Sequence, residues 1–190
     1  MIKYFMLMVL TLAGSCSDTT ALSHRNESGN WRESERMEIS LLNNETSVQM
    51  DWEPRGEAVR QAHVAGDRPV SVRIAPNVEL RVNAQNLTAV SYHGIITDVE
   101  IRPSWPLSDG PNLANRIERL LGEWKIEVRE GRFDELRAMG TAKPGASPGM
   151  WAYAFPTSNG ALVRVRIQGV PELGWFAVVE IGAPMQSRPR

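Results

Sequence analysis

The sequence holds a single cysteine among its 190 residues and has no excess of positive charge. One cysteine cannot form an intramolecular disulfide, so a disulfide-stapled fold is excluded. Lysine and arginine number 21 against 22 aspartates and glutamates, a formal net charge of −1. Such a chain lacks the basic surface that neutralises a nucleic-acid backbone, and no nucleic-acid partner is expected. The composition, 42% hydrophobic and 23% charged, is that of a globular chain, not a fibrous or disordered one.

The longest apolar run is short and lies at the N-terminus, from Tyr4 to Leu12, after a single cation at Lys3. Such a run is too short to cross a bilayer as a permanent helix, and it predicts a secretory signal peptide over residues 1–15. The small residues that follow end at Cys16. This Ala-Gly-Ser-Cys ending resembles the lipobox of bacterial lipoproteins, a resemblance confined to residues 1–16. An ordinary signal peptide with an incidental cysteine is the alternative.

The lipobox resemblance implies a lipid anchor on Cys16. In such lipoproteins the cysteine thiol carries two acyl chains on a glycerol and the freed amine carries a third, such as palmitate, and two or more chains anchor a protein stably. Ser17 and not aspartate follows the cysteine, which in the sorting rule of these proteins implies the periplasmic face of the outer membrane. Residues 16–36 are predicted to be a lipidated flexible tether, because Leu22 and Trp31 are the only large apolar residues in it.

Most of the remaining sequence alternates apolar and polar residues with a period of two, as in Val163 to Ile167. This pattern is typical of strands in an antiparallel sheet with one solvated face. Two turns, at Asn43-Asn44-Glu45 and at Pro76-Asn77, predict hairpins. Residues 57–65 are the exception before residue 102 and are predicted as a short helix. The predicted strands are 37–41, 48–52, 70–74, 78–82, 95–101, 124–128, 151–155, 163–167 and 175–181, with one or two helical turns at 133–136.

One segment has the period of an amphipathic helix. Pro111 suits its first turn and Asp109 its N-cap. We therefore predict a single globular α+β domain over residues 37–185, mostly an antiparallel sheet with one amphipathic helix, at about 111–124, packed on it. The apolar stripe of this helix consists of Leu113, Ile117, Leu120, Leu121 and Trp124.

Ser147 stands in Gly145-Ala-Ser-Pro-Gly149, a match to the nucleophile elbow of α/β-hydrolases. The residue after the serine supplies an oxyanion-hole N–H in that motif, and Pro148 has none. The triad order also needs a histidine downstream, but His24, His63 and His93 all precede Ser147. The histidines show no metal-ligand spacing and no nucleotide-binding glycine motif occurs. We predict no catalytic residue, no metal site and no cofactor.

Exposed tryptophan and arginine are the residues that most often anchor a protein interface. Trp105 lies between prolines in Arg102-Pro103-Ser104-Trp105-Pro106, in a loop from which a side chain does not easily reach the core. Arg102 and Trp105 are therefore the predicted partner-binding residues. The alternative is that Trp105 caps the core beneath the loop. The neighbouring pair Asp98 and Glu100 is interpreted as part of a solvated strand face and not as a catalytic pair.

These observations favour a non-enzymatic protein-binding module anchored in the envelope. A small lipoprotein with a sheet, a helix and no catalytic set resembles the immunity proteins that neutralise effectors delivered by rival bacteria. This resemblance implies one protein partner. The alternatives are an assembly or structural lipoprotein of the outer membrane and, least favoured, an envelope hydrolase with an unrecognised site.

Overall fold

Strands make up most of the described chain. The computed structural model describes residues 36–43, 45–46, 50–140, 150–158 and 160–183. The predicted signal peptide, Cys16, most of the predicted tether and the Ser147 segment therefore lie outside the described residues. The elements are β1 (Met37–Ser40), β2 (Glu45–Thr46), β3 (Trp52–Pro54), β4 (Val59–Ala75), β5 (Val78–Tyr92), β6 (Ile95–Pro103), α1 (Gly110–Glu123), α2 (Asp134–Ala138), β7 (Met150–Pro156), β8 (Leu162–Val170) and β9 (Gly174–Gly182).

All of these strands join one sheet, in the order β2-β1-β4-β5-β6-β9-β8-β7, with β3 also paired to β4. Every pairing is antiparallel except that of β1 with β4, in which Met37 lies opposite Val70. The prediction of a mainly β fold with a helix is confirmed, but the sheet is mixed and not purely antiparallel. The sequence pattern could not show this, because period-two alternation is the same in strands of either direction.

The hairpin of β4 and β5 turns at Pro76 and Asn77 as predicted, with Ala75 opposite Val78. The helix predicted for residues 57–65 is wrong, since β4 begins at Val59. The strand is paired on both sides there, with β3 and with β5, and Ala62 is fully buried. Tertiary pairing therefore overrides the weak helical preference of this alanine-containing stretch.

The first predicted hairpin is correct in its first strand, β1, but not in its second. β1 pairs with β2 so that Ile39 lies opposite Thr46, which places the second strand earlier than the predicted 48–52. Trp52 belongs instead to β3 and lies opposite Ala62 of β4. Of the predicted strand 48–52, residues 48 and 49 lie outside the described part of the chain, and among the rest only Trp52 belongs to a strand.

The helix α1 confirms the predicted amphipathic segment. Asp109 caps it by accepting a hydrogen bond from the backbone N–H of Asn112 at 2.8 Å, and proline lies in the first turn. Its predicted apolar stripe is buried throughout, which fixes the helix on one face of the sheet. Among the described residues no helix is long and apolar enough to span a membrane.

The strand predicted at 124–128 is wrong, because the chain turns back at the end of α1. Lys125 has a positive φ of 56°. The N–H of Lys125 bonds to the carbonyl of Gly122 and that of Ile126 to Leu121, both at 2.9 Å. These two bonds form a Schellman motif, which satisfies the last carbonyls of a helix and requires a left-handed residue. Ile126 is buried as the apolar contact of that motif and not as a strand residue.

The short helix α2 packs next to the N-terminus of α1 and confirms the predicted helical turns. Phe133, just before it, is fully buried. Its ring lies 4.9 Å from that of Tyr153, edge to face, and 6.0 Å from that of Phe155. Burial raises the pKa of Tyr153, and the Glu135 carboxylate raises it further. The two helices and β7 therefore close one end of the core.

Candidate protein-binding surface

One face of the sheet carries mixed polar and apolar side chains that are half-buried or exposed. A groove of about 360 Å³ runs along it, and neither α1 nor α2 contributes a residue to its lining. The helices pack instead on the opposite face, where their buried residues share one core with alternate residues of the same strands. We call the first surface the uncovered face. It consists of His63, Thr88, Glu100, Arg102, Arg164, Arg166, Phe176, Val178 and Glu180.

The predicted residue Arg102 lies near the centre of this face. Its guanidinium carbon is 4.5 Å from the centroid of the Phe176 ring, a cation–π contact between β6 and β9. The Nε atom of Arg102 is buried and, within the described part of the chain, has no hydrogen-bond partner. A buried donor without an acceptor costs free energy.

Two ion pairs flank this contact. Arg164 of β8 donates to both carboxylate oxygens of Glu180 at 2.9 Å, and Arg166 is paired with Glu100. The two glutamates lie opposite each other across β6 and β9, so the arginines of β8 offset the repulsion between them. All four side chains are 24–42% exposed, and such pairs contribute at most about 1 kcal/mol each. Glu100 is therefore held in a solvated ion pair, as predicted for this strand face.

The histidine on this face is also engaged. His63 Nδ1 lies 2.9 Å from the hydroxyl of Thr88 on the neighbouring strand. His93 lies apart from it, in the turn between β5 and β6, with a φ of 50° and its ring against Tyr92. In the part of the chain that the structure describes, no three potential ligands group into a metal site.

The second predicted binding residue, Trp105, lies elsewhere. It is half-buried and packs against the core, and it lines a groove of about 400 Å³ together with Arg116 and Arg119 of α1. This groove shares no lining residue with the groove of the uncovered face. The structure therefore does not bring Arg102 and Trp105 together, and Trp105 packs against the core while part of its side chain lines this groove.

A third and larger cleft, of about 640 Å³, lies at the C-terminal end of α1. Its floor includes the buried residues Leu80, Trp124 and Ile126. The indole N–H of Trp124 donates to the carbonyl of Arg81 at 2.9 Å, which ties the helix end to β5. No sequence pattern predicted this cleft, because its lining depends on the Schellman turn that places Ile126 beside Leu80 of β5.

Phe176 is the residue of the uncovered face that the sequence analysis missed. It alternates with the buried Trp175 and Ala177 on β9, so the period-two pattern itself assigns it to the solvated side. A phenylalanine at a solvent-facing strand position is a signal that could have found it. No protein-family model, curated protein or solved structure matches this chain.

Proposed function

We propose that the chain is a lipoprotein held by Cys16 at the periplasmic face of the outer membrane, whose α+β domain binds one protein partner without catalysing a reaction. The observation that carries this proposal is the uncovered face, with Arg102 stacked on Phe176 at its centre. The partner that best fits an envelope-anchored binder is a secreted effector, which the protein would neutralise as an inhibitor or immunity protein.

The composition of the uncovered face supports binding of a protein. Arginine and aromatic residues dominate the binding energy of interfaces when they are surrounded by contacts that exclude water. The Arg102–Phe176 pair supplies both residue types, and the ion pairs of Arg164 and Arg166 lie on the same face. A partner carboxylate would pair with the guanidinium of Arg102, and an apolar partner side chain would cover the Phe176 ring.

The sheet also provides a rigid platform for such an interface. The uncovered face is formed by the strands β4, β5, β6, β9 and β8, each paired on both sides. Side chains on such strands keep fixed positions, so little conformational entropy is lost when a partner binds.

The test is partner capture with the full chain, expressed in its own host with a C-terminal affinity tag and purified in mild detergent. The bait is incubated with envelope extract and with secreted proteins of that host, and bound proteins are quantified by mass spectrometry. The wild-type chain should retain one partner in stoichiometric amount. The double variant Arg102→Ala and Phe176→Ala should retain at least about tenfold less, corresponding to 1.4 kcal/mol. Arg129→Ala, an exposed arginine outside this face, is the matched control.

The identity and the variant dependence of the partner decide between the hypotheses. A secreted toxin or hydrolase that depends on Arg102 and Phe176 supports the inhibitor function. A resident outer-membrane protein would replace it with the assembly or structural function. A partner that is lost from Trp105→Ala but not from the double variant would move the interface to the groove beside α1.

A further inference from the structure

The two edges of the sheet differ in how they are protected. At one edge the described strands are very short, since β2 has two residues and β3 has three. In β3 the sequence is Trp-Glu-Pro, and both a charge and a proline discourage pairing with another strand. At the other edge lies β7, which pairs only with β8 among the described strands and is seven residues long.

The sequence of β7 lacks the residues that usually protect an edge strand. Its sequence, Met-Trp-Ala-Tyr-Ala-Phe-Pro, contains no charged residue, and its one proline is at the last position, Pro156. Met150 is 69% exposed, and Ala152 and Ala154 are exposed as well. A neutral, apolar edge of this length is a template for another strand.

The hydrogen-bond register shows which backbone groups this edge offers. Beyond the end of β7, the N–H of Thr157 donates to the carbonyl of Ala161. Hydrogen-bonded and non-bonded pairs alternate along an antiparallel ladder, and Pro156, Ala154, Ala152 and Met150 occupy the non-bonded positions with respect to β8. The backbone groups of these residues therefore point away from β8, toward the open edge.

We propose that β7 pairs antiparallel with β7 of a second copy of this chain, with the two-fold axis at Ala152. In this register Ala152 exchanges both hydrogen bonds with Ala152 of the second copy, and Met150 exchanges both with Ala154. The missing N–H of Pro156 is not needed. Because β7 carries no charge, self-pairing brings no like charges together, whereas any charged residue near the axis would meet its own copy.

Side chains favour the same register. Trp151 lies opposite Tyr153 of the second copy at a non-hydrogen-bonded pair, the closest kind of cross-strand neighbour. Aromatic pairs at such positions stabilise a sheet. Trp151 is only half-buried in one chain, where it contacts the edge of Trp175. Pairing also extends the sheet of one copy into that of the other, so the two uncovered faces join in one continuous surface.

Disulfide cross-linking in membranes of cells that express the full chain tests this pairing. In Ala152→Cys the two cysteines face each other with Cα atoms about 5.5 Å apart, within the range that a disulfide spans. In the matched variant Ala154→Cys, on the same strand and equally exposed, they are about 13 Å apart, too far to bridge. The unsubstituted chain reports any cross-linking through Cys16, the only native cysteine.

The expected result is a covalent dimer on a non-reducing gel for Ala152→Cys alone. Covalent dimers in both variants would overturn the proposal. The absence of dimers in both would also overturn it, provided that both variants resist protease as well as the wild type does and are therefore folded. A second measurement uses Ala152→Glu, which places two carboxylates opposite each other on an exposed edge without disturbing the core. The wild-type chain in detergent should have the mass of a dimer and this variant that of a monomer. A monomeric wild type would refute the pairing whatever the uncovered face binds.

Discussion

Replacing Gly110 by alanine should force α1 and α2 apart. Gly110 is buried at the first position of α1, and a Cβ there would lie 2.2 Å from the carbonyl oxygen of Leu136 and 3.2 Å from the Cβ of Met139. A backbone oxygen cannot rotate away, so the helices must shift by roughly 1 Å to reach ordinary contact. Overpacking of this kind costs about 1–3 kcal/mol. The lower backbone entropy of alanine in the unfolded chain offsets about 0.5–1 kcal/mol of that cost.

Gly122 provides the control within the same helix. It is exposed, and a Cβ there meets nothing within 4 Å, so Gly122→Ala should stabilise the protein by about 0.5–1 kcal/mol through helix propensity. The two variants should therefore differ by about 2 kcal/mol. With a urea m-value of about 2 kcal/mol/M, their unfolding midpoints, followed by tryptophan fluorescence, should lie about 1 M apart. If Gly110→Ala unfolds at the same urea concentration as Gly122→Ala, the inferred helix contact is wrong.

Three further predictions concern substitutions of single residues. Cys16→Ser should leave an unprocessed, unlipidated precursor, and normal mature protein in the membrane fraction on an immunoblot would disprove the lipobox. Lys125→Gly should raise the free energy of unfolding by about 1 kcal/mol, because glycine adopts the positive φ of this position without strain; no gain in a urea titration would contradict this. The hydrogen bond from Arg81 lowers the pKa of Glu79, so this carboxylate stabilises the fold above its unfolded pKa and loses the effect as the pH falls through its folded pKa. Glu79→Gln should therefore cost at most about 1 kcal/mol at pH 7. The difference from wild type should shrink as the pH falls below the unfolded pKa of about 4.3 and vanish below the lowered folded pKa; a difference that persists at the acid end of the titration would refute this origin.

The elements predicted correctly are those whose signals are local. The helix α1 has its cap at Asp109, a proline in the first turn and a complete apolar stripe within one segment. The hairpin of β4 and β5 has its turn between two clear alternating runs. In both cases, neighbours in the sequence determine the structure, so no knowledge of the rest of the chain is needed.

The wrong predictions fall where contacts between distant segments, or an unusual backbone conformation, determine the structure. Trp124, Ile126 and Val128 alternate with polar residues as a strand would, but the left-handed Lys125 converts the same pattern into a helix cap followed by a buried turn. A lysine at this position does not indicate a left-handed helix end, because glycine is the usual residue there. Likewise, the sequence of β1 does not indicate its direction relative to β4, and the parallel pairing of the two strands is seen only in the structure.

In the candidate site, one feature follows from a local sequence pattern and another depends on contacts between distant strands. That Arg102 faces solvent follows from its strand pattern alone, since Ile101 and Pro103 on either side are buried. That it stacks on Phe176 depends on the register of β6 against β9, in which Ile101 lies opposite Val179. This register sets Arg102 beside the strand that carries Phe176, a neighbour that no local pattern predicts. An interface residue can thus be selected from the sequence by its exposure, but the group that orients it, and hence the shape that a partner meets, is determined by strand pairing.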